Sequence, residues 1–418
     1  MRDGLVSPRS LEAGELELGG GLEVLLAAAL EGMRAGERLE VITPSRSTAL
    51  ELPAWARAVG HEGVGERTVP GGAYAVEIER GPFARVLADP LPARRPGPQL
   101  RDGELHTADL RPPGDVPTEA EAAAGFTPLG AVAERGAPTF RWTLNERDAI
   151  WADDVSDLTE QASAAQWDAS RDIPWEDARG LPDFMERAVS QVMTFIAQNE
   201  YAALYVPAGF LADVNPAYPE MLMWLSSHVH DEARHVEVFT KRSLIGGQPS
   251  YALAATELSL HTLLDERDFS GAALLLNVLG EGTFLDLLRF VGQHAPDAAT
   301  RAAAALAHRD EVRHVHFGIS HVRHHIATDP DQRAALIAAA ERRADKLTEM
   351  SGLSTLLTEG LTVMAAGSLQ PAELARGADD VRTLMQTMED NRIKRLRAAG
   401  FDGRDAQHLS DLHTPNLM

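Results

Sequence analysis

The sequence predicts a mostly α-helical protein in which a helical bundle follows a small α/β unit. Beyond residue 143, apolar side chains recur at helical spacing over long segments. Near the start of the chain, short alternating segments such as 38–43 and 74–78 are separated by helical ones. At 418 residues the chain also exceeds a typical single domain. We therefore expect two domains with separate cores.

Composition excludes several classes of function. The formal net charge of −23 argues against nucleic acid or an anionic membrane as a partner. Because the chain has no cysteine, it can form no disulfide, no cysteine-ligated zinc or iron-sulfur site and no cysteine nucleophile. The apolar segment 22–30 contains Glu23, so we expect no signal peptide, and no stretch is expected to reach transmembrane length. A cytoplasmic location is predicted.

Residues 1–90 form the predicted α/β unit. We expect strands at 16–18, 38–43 and 74–78, and helices at 22–33 and 52–59. The phrases AGERLEVIT and LPAWARAVGHE resemble the TusA/SirA-like sulfurtransferase family, whose members relay sulfur on a cysteine. Where that family has a Cys-Pro pair, this chain has Leu18-Gly19-Gly20-Gly21-Leu22-Glu23. The resemblance therefore implies a docking or regulatory module, or equally a domain that only packs on its neighbour.

Residues 91–140 are predicted to be a linker. Their composition shifts toward Pro, Gly, Arg and Asp, as in Arg94-Arg95-Pro96-Gly97-Pro98. Such a segment buries little apolar surface, so we expect it on the outside with its arginines solvated.

Residues 141–400 are the predicted helical domain. A first helix is expected over 143–167, and Pro174 and Pro182 mark a break before the next. Asp183 with Glu186 has the form of a capping box that opens that helix. Residues 401–418 are predicted to be a weakly structured tail.

Two five-residue phrases, DEARH at 231–235 and DEVRH at 310–314, carry the chemistry. Residues three apart lie on one face of a helix, so each Glu can hold a metal ion together with its His. A lone Glu lies one helix before each phrase, on an apolar stripe. A buried carboxylate costs several kcal/mol unless it is paired, protonated or bound to metal. The chain thus repeats one half-site twice.

The predicted ligands are four carboxylates and two imidazoles: Glu200, Glu232, His235, Glu281, Glu311 and His314. This donor set suits two iron ions, or iron with manganese, better than calcium or zinc. Glu232 and Glu311 are the predicted bridges, with His235 and His314 on separate ions and the other two Glu residues terminal or bridging. The pattern matches the arrangement known for ferritin-like di-iron carboxylate bundles.

Residues 143–327 resemble the ferritin-like di-iron oxygenase superfamily. The segment Asn199-Glu200-Tyr201-Ala202-Ala203, together with the two phrases, is most similar to hydroxylase subunits of bacterial multicomponent monooxygenases. The resemblance implies that four further residues support the ligands: Asp231, Arg234, Asp310 and Arg313. Each Asp is expected to orient an imidazole across the bundle.

Residues that differ from those of related families limit the reactions that this site is expected to catalyse. Leu285 stands where family hydroxylases carry a threonine, although Thr283 is nearby, and Phe239 replaces the tyrosine of a tyrosyl-radical protein. Without cysteine, a rubrerythrin-like peroxidase with its own rubredoxin centre is excluded.

Several further histidines are candidates near the site. His308 resembles the extra imidazole of p-aminobenzoate N-oxygenase-like enzymes, one position out of register, and is either an extra ligand or a polar flank. His228 is expected to bond to a neighbouring helix or line the pocket. The group of His316, His321, His324 and His325 is interpreted as structural, because imidazoles near a helix C-terminus complement its dipole.

The sequence therefore predicts an oxidoreductase, a non-haem di-iron oxygenase or oxidase that uses O2 to hydroxylate or N-oxygenate a small organic substrate. Electrons must come from an external reductase or ferredoxin, and a homodimer is one possible assembly. Two alternatives remain: a ferroxidase or metal-storage protein, and a binding scaffold whose metal is structural.

Overall fold

The computed structural model confirms the mostly α-helical fold class with strands near the N-terminus. It describes residues 9–82, 100, 103–111, 114–131, 133, 137–245, 250–348 and 355–413. The chain divides into two compact units, one of Met1–Gly97 with Gly130–Pro138 and one of Pro98–Leu129 with Thr139–Met418.

The N-terminal unit is a four-stranded sheet with two helices. Its elements are β1 (Arg9–Glu12), α1 (Leu22–Leu30), β2 (Arg38–Thr43), α2 (Arg46–Ala58), β3 (Glu62–Thr68) and β4 (Tyr74–Glu79). The strand order is β1-β2-β4-β3, with β1 parallel to β2 and the other pairs antiparallel. Alternate residues of β2, including Leu39 and Val41, pack with Leu26 of α1 and Leu52 of α2 in one core.

One predicted strand of this unit is absent, and strands β1 and β3 were not predicted. Residues 16–18 form no strand and lie between Gly14 and Gly19, whose positive φ angles interrupt extended backbone. Strand β3 was missed because most of its residues are exposed and two of them are glycines, so it lacks an alternating apolar pattern. The resemblance to the TusA/SirA-like family stays a prediction.

Part of the predicted linker is ordered against the helical unit. Ala123–Ala124 (β5) pairs with Phe140–Arg141 (β6). Arg111 was expected to be solvated but is buried, and its guanidinium donates two hydrogen bonds of 2.9 Å to the carboxylate of Glu220. Residues 91–99 lie outside the described residues.

The second unit contains the long helices. They are α3 (Val155–Ala164), α4 (Asp183–Leu211), α5 (Pro219–Leu244), α6 (Ala254–Leu264), α7 (Phe269–Ala273), a π-helical segment (Leu274–Glu281), α8 (Gly282–Gln293), α9 (Ala298–Thr328), α10 (Gln332–Thr348), α11 (Thr355–Ala366), α12 (Pro371–Ala398) and α13 (Gly403–His413). Apolar side chains from most of these helices form one core.

The first predicted helix, 143–167, is much shorter in the structure. Leu144 instead bridges to Val214 as extended backbone, and the helix begins only at Val155. At the start of α4, the predicted capping box is absent because Pro182 is the N-cap residue. The Glu186 carboxylate accepts a hydrogen bond of 2.7 Å from buried Arg242 instead.

The C-terminal tail and the membrane prediction also need correction. Helix α13 lies within the predicted tail, and its Ala406 and Leu409 are buried in the core. Among the described residues, Phe269–Gln293 is long and apolar enough to cross a membrane, contrary to expectation. Its most apolar window is 89% buried inside the protein, which is typical of a core helix.

Candidate metal centre

The structure brings all six predicted ligands together at the centre of the helical unit. Two buried groups have ligand atoms within 4.8 Å of one another: Glu200, Glu232, His235 and Glu311 form one, and His228, Glu232, Glu281 and His314 form the other. They come from α4, α5, α9 and the end of the π-helical segment. Glu232 belongs to both groups, so the two half-sites of the sequence are adjacent in space.

The carboxylates of Glu232 and Glu311 each lie close to the imidazoles of both His235 and His314. The Glu232 carboxylate lies 3.3 Å from Nδ1 of His235 and 2.8 Å from Nδ1 of His314. The Glu311 carboxylate lies 3.3 Å and 3.4 Å from the same two nitrogens. Both carboxylates therefore occupy the positions expected of ligands that bridge two ions.

The buried polar atoms that face this point lack hydrogen-bond partners among the described residues. They are Oε1 of Glu200, both carboxylate oxygens of Glu232, both of Glu311, and Nδ1 of His235 and of His314. A buried polar atom without a partner costs about 1–3 kcal/mol. Divalent metal ions would satisfy all of these atoms at once, so the donor set fits the predicted two-metal site.

The outward nitrogen of each imidazole faces an aspartate from the opposite half-site. Nε2 of His235 lies 3.4 Å from Oδ2 of Asp310, and Nε2 of His314 lies 3.4 Å from Oδ2 of Asp231. A carboxylate in this position favours the tautomer whose other nitrogen is free to bind metal. Nδ1 is therefore the metal-facing nitrogen of both histidines.

Two arginines tie these aspartates together across the bundle. Arg313 donates to Asp231 at 2.9 Å and to Asp310 at 2.7 Å. Arg234 donates to Asp310 at 3.0 Å and also to Asp231. Each guanidinium therefore bonds to both half-sites, and the residues around the ligands form one continuous network.

Sequence analysis missed the contribution of Trp167. Its indole Nε1 donates to Oδ2 of Asp310 at 2.6 Å, and its ring stacks on His235 with centroids 6.4 Å apart. The guanidinium of Arg234 lies 5.1 Å from the centroid of the same ring. These contacts join residues far apart in sequence, so no local pattern indicated them.

His228 lies closer to the candidate metal centre than the sequence predicted. The expected bond to a neighbouring helix is confirmed, since Nε2 lies 3.1 Å from Oε1 of Glu281. Its ring also stacks on that of His314 with centroids 3.9 Å apart. His228 is thus close enough to be a third imidazole ligand. The sequence signal for this role was the position of His228, one helical turn before the candidate ligand Glu232.

His308, the predicted extra candidate, lies outside both groups within the described part of the chain. It is half-buried, and burial together with nearby Arg289 lowers the pKa of its imidazole. The four histidines at the end of α9 also lie apart from the centre. His321, for example, bonds to Ser270 and to the carbonyl oxygen of Trp151, both at 2.8 Å, as a structural residue would.

The π-helical segment determines where Glu281 points. Asn277, one turn earlier, donates to Oε2 of Glu281 at 2.7 Å. Because a π-helix has more residues per turn than an α-helix, the apolar stripe shifts at this position. Leu285, which stands where family hydroxylases carry a threonine, is half-buried, whereas Phe284 lines the cavity beside the candidate ligands. The hydroxyl of Thr283 donates to the carbonyl oxygen of Leu279.

The charges of the site are strongly coupled. Burial and the neighbouring carboxylates Glu232 and Glu311 raise the pKa of Glu200 well above its usual value. Burial opposes protonation of His235 and His314, but the surrounding carboxylates outweigh it and raise the pKa of both imidazoles well above the usual value. Metal-free, the site therefore holds protons that an ion would displace.

A cavity adjoins the carboxylates. Glu200, Glu281 and Glu311 form part of its wall, and apolar side chains such as Leu263 and Phe284 form much of the rest. A space of this kind could hold the reacting part of a substrate next to bound metal.

Comparison with known proteins gives structural matches only. No family model and no curated protein matches the chain. An R2-like ligand-binding oxidase variant with an aerobically reconstituted Fe/Fe cofactor is 18% identical, with a TM-score of 0.45, covering 58% of this chain and 92% of that one. A variant with a Mn/Fe cofactor is 19% identical, with a TM-score of 0.44 and the same coverage. An R2-like ligand-binding oxidase with Mn/Fe after a long soak is 17% identical, with a TM-score of 0.40, covering 63% and 91%.

Proposed function

We propose that the helical unit holds two iron ions, or one iron and one manganese, and is an O2-using oxygenase or oxidase for a small organic substrate. One observation carries the proposal. Glu232 and Glu311 each lie within 3.4 Å of the Nδ1 atoms of the same two imidazoles, and the buried carboxylate oxygens of both lack a well-formed hydrogen bond among the described residues. A carboxylate-bridged pair of ions explains both facts.

When bound, the ions supply O2 activation: one oxygen atom enters a C–H or N–H bond of the substrate, the other leaves as water, and an external reductase or ferredoxin supplies two electrons with two protons. The protein positions the donors. Asp310 and Asp231 hold the two imidazoles with Nδ1 inward. Apolar side chains such as Leu263 and Phe284 line the cavity next to Glu200, which limits the water around the reacting atoms.

Oxygen consumption tests this function. Protein loaded anaerobically with two Fe(II) per chain and then mixed with O2 should consume O2 while both irons stay bound. The variant Glu311→Gln removes one spanning carboxylate and should abolish the consumption. Glu237→Gln is the matched control, because Glu237 is an exposed residue of α5 that pairs with Lys241. It should behave like the unaltered protein.

Other outcomes would support the alternatives. If the protein takes up iron well beyond two ions per chain during exposure to O2, it stores iron. If Glu200→Ala and Glu311→Ala retain full O2 consumption and only lower the melting temperature, the metal is structural and the oxygenase proposal fails.

A further inference from the structure

A buried arginine lies in the wall of the cavity beside the candidate metal centre. Arg343 of α10 is 6% exposed and lines the same cavity as Glu200, Glu281 and Glu311. Its Nε donates to the hydroxyl of Thr262 at 3.0 Å, and its Nη2 donates to the hydroxyl of Ser259 at 2.9 Å. Both partners are neutral.

The lack of a counter-ion separates Arg343 from Arg111 and Arg242, two other buried arginines of this unit. Arg111 pairs with Glu220, and Arg242 pairs with Glu186 and Asp297. For Arg343 the described residues provide hydroxyl partners only, and burial is the one influence on its pKa, which falls to about 10. The guanidinium thus keeps its charge near neutral pH. A buried charge without an opposite charge is costly, which favours a ligand that supplies one.

The geometry leaves hydrogen-bonding capacity for that ligand. A guanidinium has five N–H donors in a planar fork, and the two hydroxyls accept from only two of its nitrogens. Such a fork matches the two oxygens of a carboxylate. The cavity between Arg343 and the site carboxylates is lined by Leu260, Leu263, Leu276 and Phe284, so an apolar body can lie between a charged end and the metals.

We propose that Arg343 binds the carboxylate of the substrate, so that this protein acts on small organic acids held with the carboxyl group at Arg343 and the apolar part toward the metal centre. The inference rests on the proposed function for the reaction itself. The space between the lining atoms is about 390 Å³, including the part open to solvent. This volume suits a short acid better than a long-chain one.

Binding of butanoate and of its neutral amide, butanamide, tests the inference. The full chain is loaded with Zn(II), which permits no turnover, and both affinities are measured by calorimetry. Butanoate should bind at least about tenfold more tightly than butanamide, the effect of one charge-assisted pair. Arg343→Gln should remove that preference. Arg342→Gln is the matched control, because Arg342 is the neighbouring residue of α10, is exposed and pairs with Glu266. It should keep the preference.

Carboxylates also bind metals directly, so the comparison is repeated without Zn(II). A preference for butanoate that persists without Zn(II) and is lost in Arg343→Gln supports the role of Arg343. If that variant does not fold, Arg343→Lys, which keeps the charge but loses the planar fork, should weaken the preference instead. A preference that appears only with Zn(II) assigns the carboxylate to the metals and overturns the inference. Equal binding of the acid and the amide overturns it as well.

Failure of the inference and failure of the proposed function are distinguishable. If Arg343→Gln binds Zn(II) at two ions per chain and binds butanoate as tightly as the unaltered protein does, the inference fails while the metal centre stands. If the chain binds no Zn(II) but binds butanoate in an Arg343-dependent way, the oxygenase proposal fails and the anion site stands.

Discussion

At the scale of single residues, Asp310 contacts four residues of the site. Its carboxylate accepts from Trp167 and Arg234, and from Arg313, and it lies 3.4 Å from Nε2 of His235. Burial works to raise the pKa of Asp310, but the bonds to His235, Trp167 and Arg313 outweigh it and hold the pKa below its usual value. Asp310 is therefore an anion placed to orient the imidazole of His235, and it belongs to neither group of candidate ligands.

Substituting this residue should weaken metal binding without abolishing it. We expect Asp310→Asn to lower metal affinity about 10- to 100-fold, the usual cost of losing a carboxylate that supports a ligand imidazole. Trp167→Phe keeps the ring next to His235 but removes the N–H donor to Asp310, so its effect should be smaller. Competition with a chelator measures both affinities. An equal affinity for Asp310→Asn and the unaltered protein would contradict this role.

The coupled charges predict how metal binding depends on pH. The pKa values of His235 and His314 are raised by the surrounding carboxylates despite burial, and the pKa of Glu200 is raised mainly by burial. These groups therefore hold their protons to higher pH in the metal-free protein than isolated side chains do, and metal must displace those protons. Apparent affinity should rise about tenfold per pH unit for each proton displaced. Titrations in buffers of different ionisation enthalpy count those protons, and a count of zero would show that these pKa shifts are absent.

The cluster of candidate ligands was predictable from sequence because each half-site is local. Glu232 and His235 lie three residues apart on one helix face, and Glu200 interrupts an apolar stripe. Both patterns are visible in the sequence without knowledge of the tertiary structure. Trp167 and Arg343 were not predictable. Their importance depends on contacts across the bundle, to Asp310 in one case and to the cavity in the other.

At the scale of elements, the π-helical segment and α9 approach each other closely at Gly318. A Cβ added at Gly318 would lie 2.4 Å from Cβ of Asn277 and 3.3 Å from Cγ2 of Val278. Because Asn277 bonds to Glu281, this close approach also fixes one of the candidate ligands. Glycine is needed here for space, since any side chain would push the two elements apart.

Gly318→Ala should therefore lower the free energy of unfolding by about 1–3 kcal/mol, the usual cost of overpacking a core. It should also weaken metal binding in the group that contains Glu281. Gly292→Ala in α8 is the matched control, because its added Cβ would meet only Cβ of Ala304 at 3.9 Å. The control should be neutral, or stabilising by up to about 1 kcal/mol from helix propensity. Denaturant unfolding measures both, and equal stabilities would refute the steric role.

Helix positions were predicted better than helix geometry. Apolar spacing identified α4, α5 and α9, and the stripe from Met185 to Glu200 is buried as expected. The π-helical turns were not predicted, because apolar residues in a sequence are assigned to one helix face on the assumption of the α-helical period. The start of α3 was misplaced because the pairing of Leu144 with Val214 overrides local helix propensity.

At the scale of the whole molecule, the two units have separate cores. Leu22, Leu39 and Ile78 belong to a core of the N-terminal unit, whereas every candidate ligand lies in the helical unit. The change from short alternating segments to helical apolar spacing along the chain favoured two domains, and the predicted boundaries at residues 90 and 140 stay predictions. Helix α13 was not predicted, because its few apolar residues give a weak signal until Ala406 and Leu409 are buried by packing.

Metal removal should therefore affect one unit only. A metal that binds the folded state alone stabilises it by about 4 kcal/mol at a free concentration 1,000 times its dissociation constant. Calorimetric melting with and without chelator should shift the transition of the helical unit and leave that of the N-terminal unit unchanged. A shift of both transitions, or of neither, would contradict this.

The central claim is that two sequence half-sites form one centre for two metal ions, and iron content measures it most directly. Protein purified from cells grown with iron should contain about two irons per chain. Glu232→Ala, which removes the residue shared by both groups, should retain less than one, whereas Glu237→Ala on the exposed face of the same helix should retain about two. An unaltered chain with no bound metal, or a Glu232→Ala variant with its full iron content, would contradict the account.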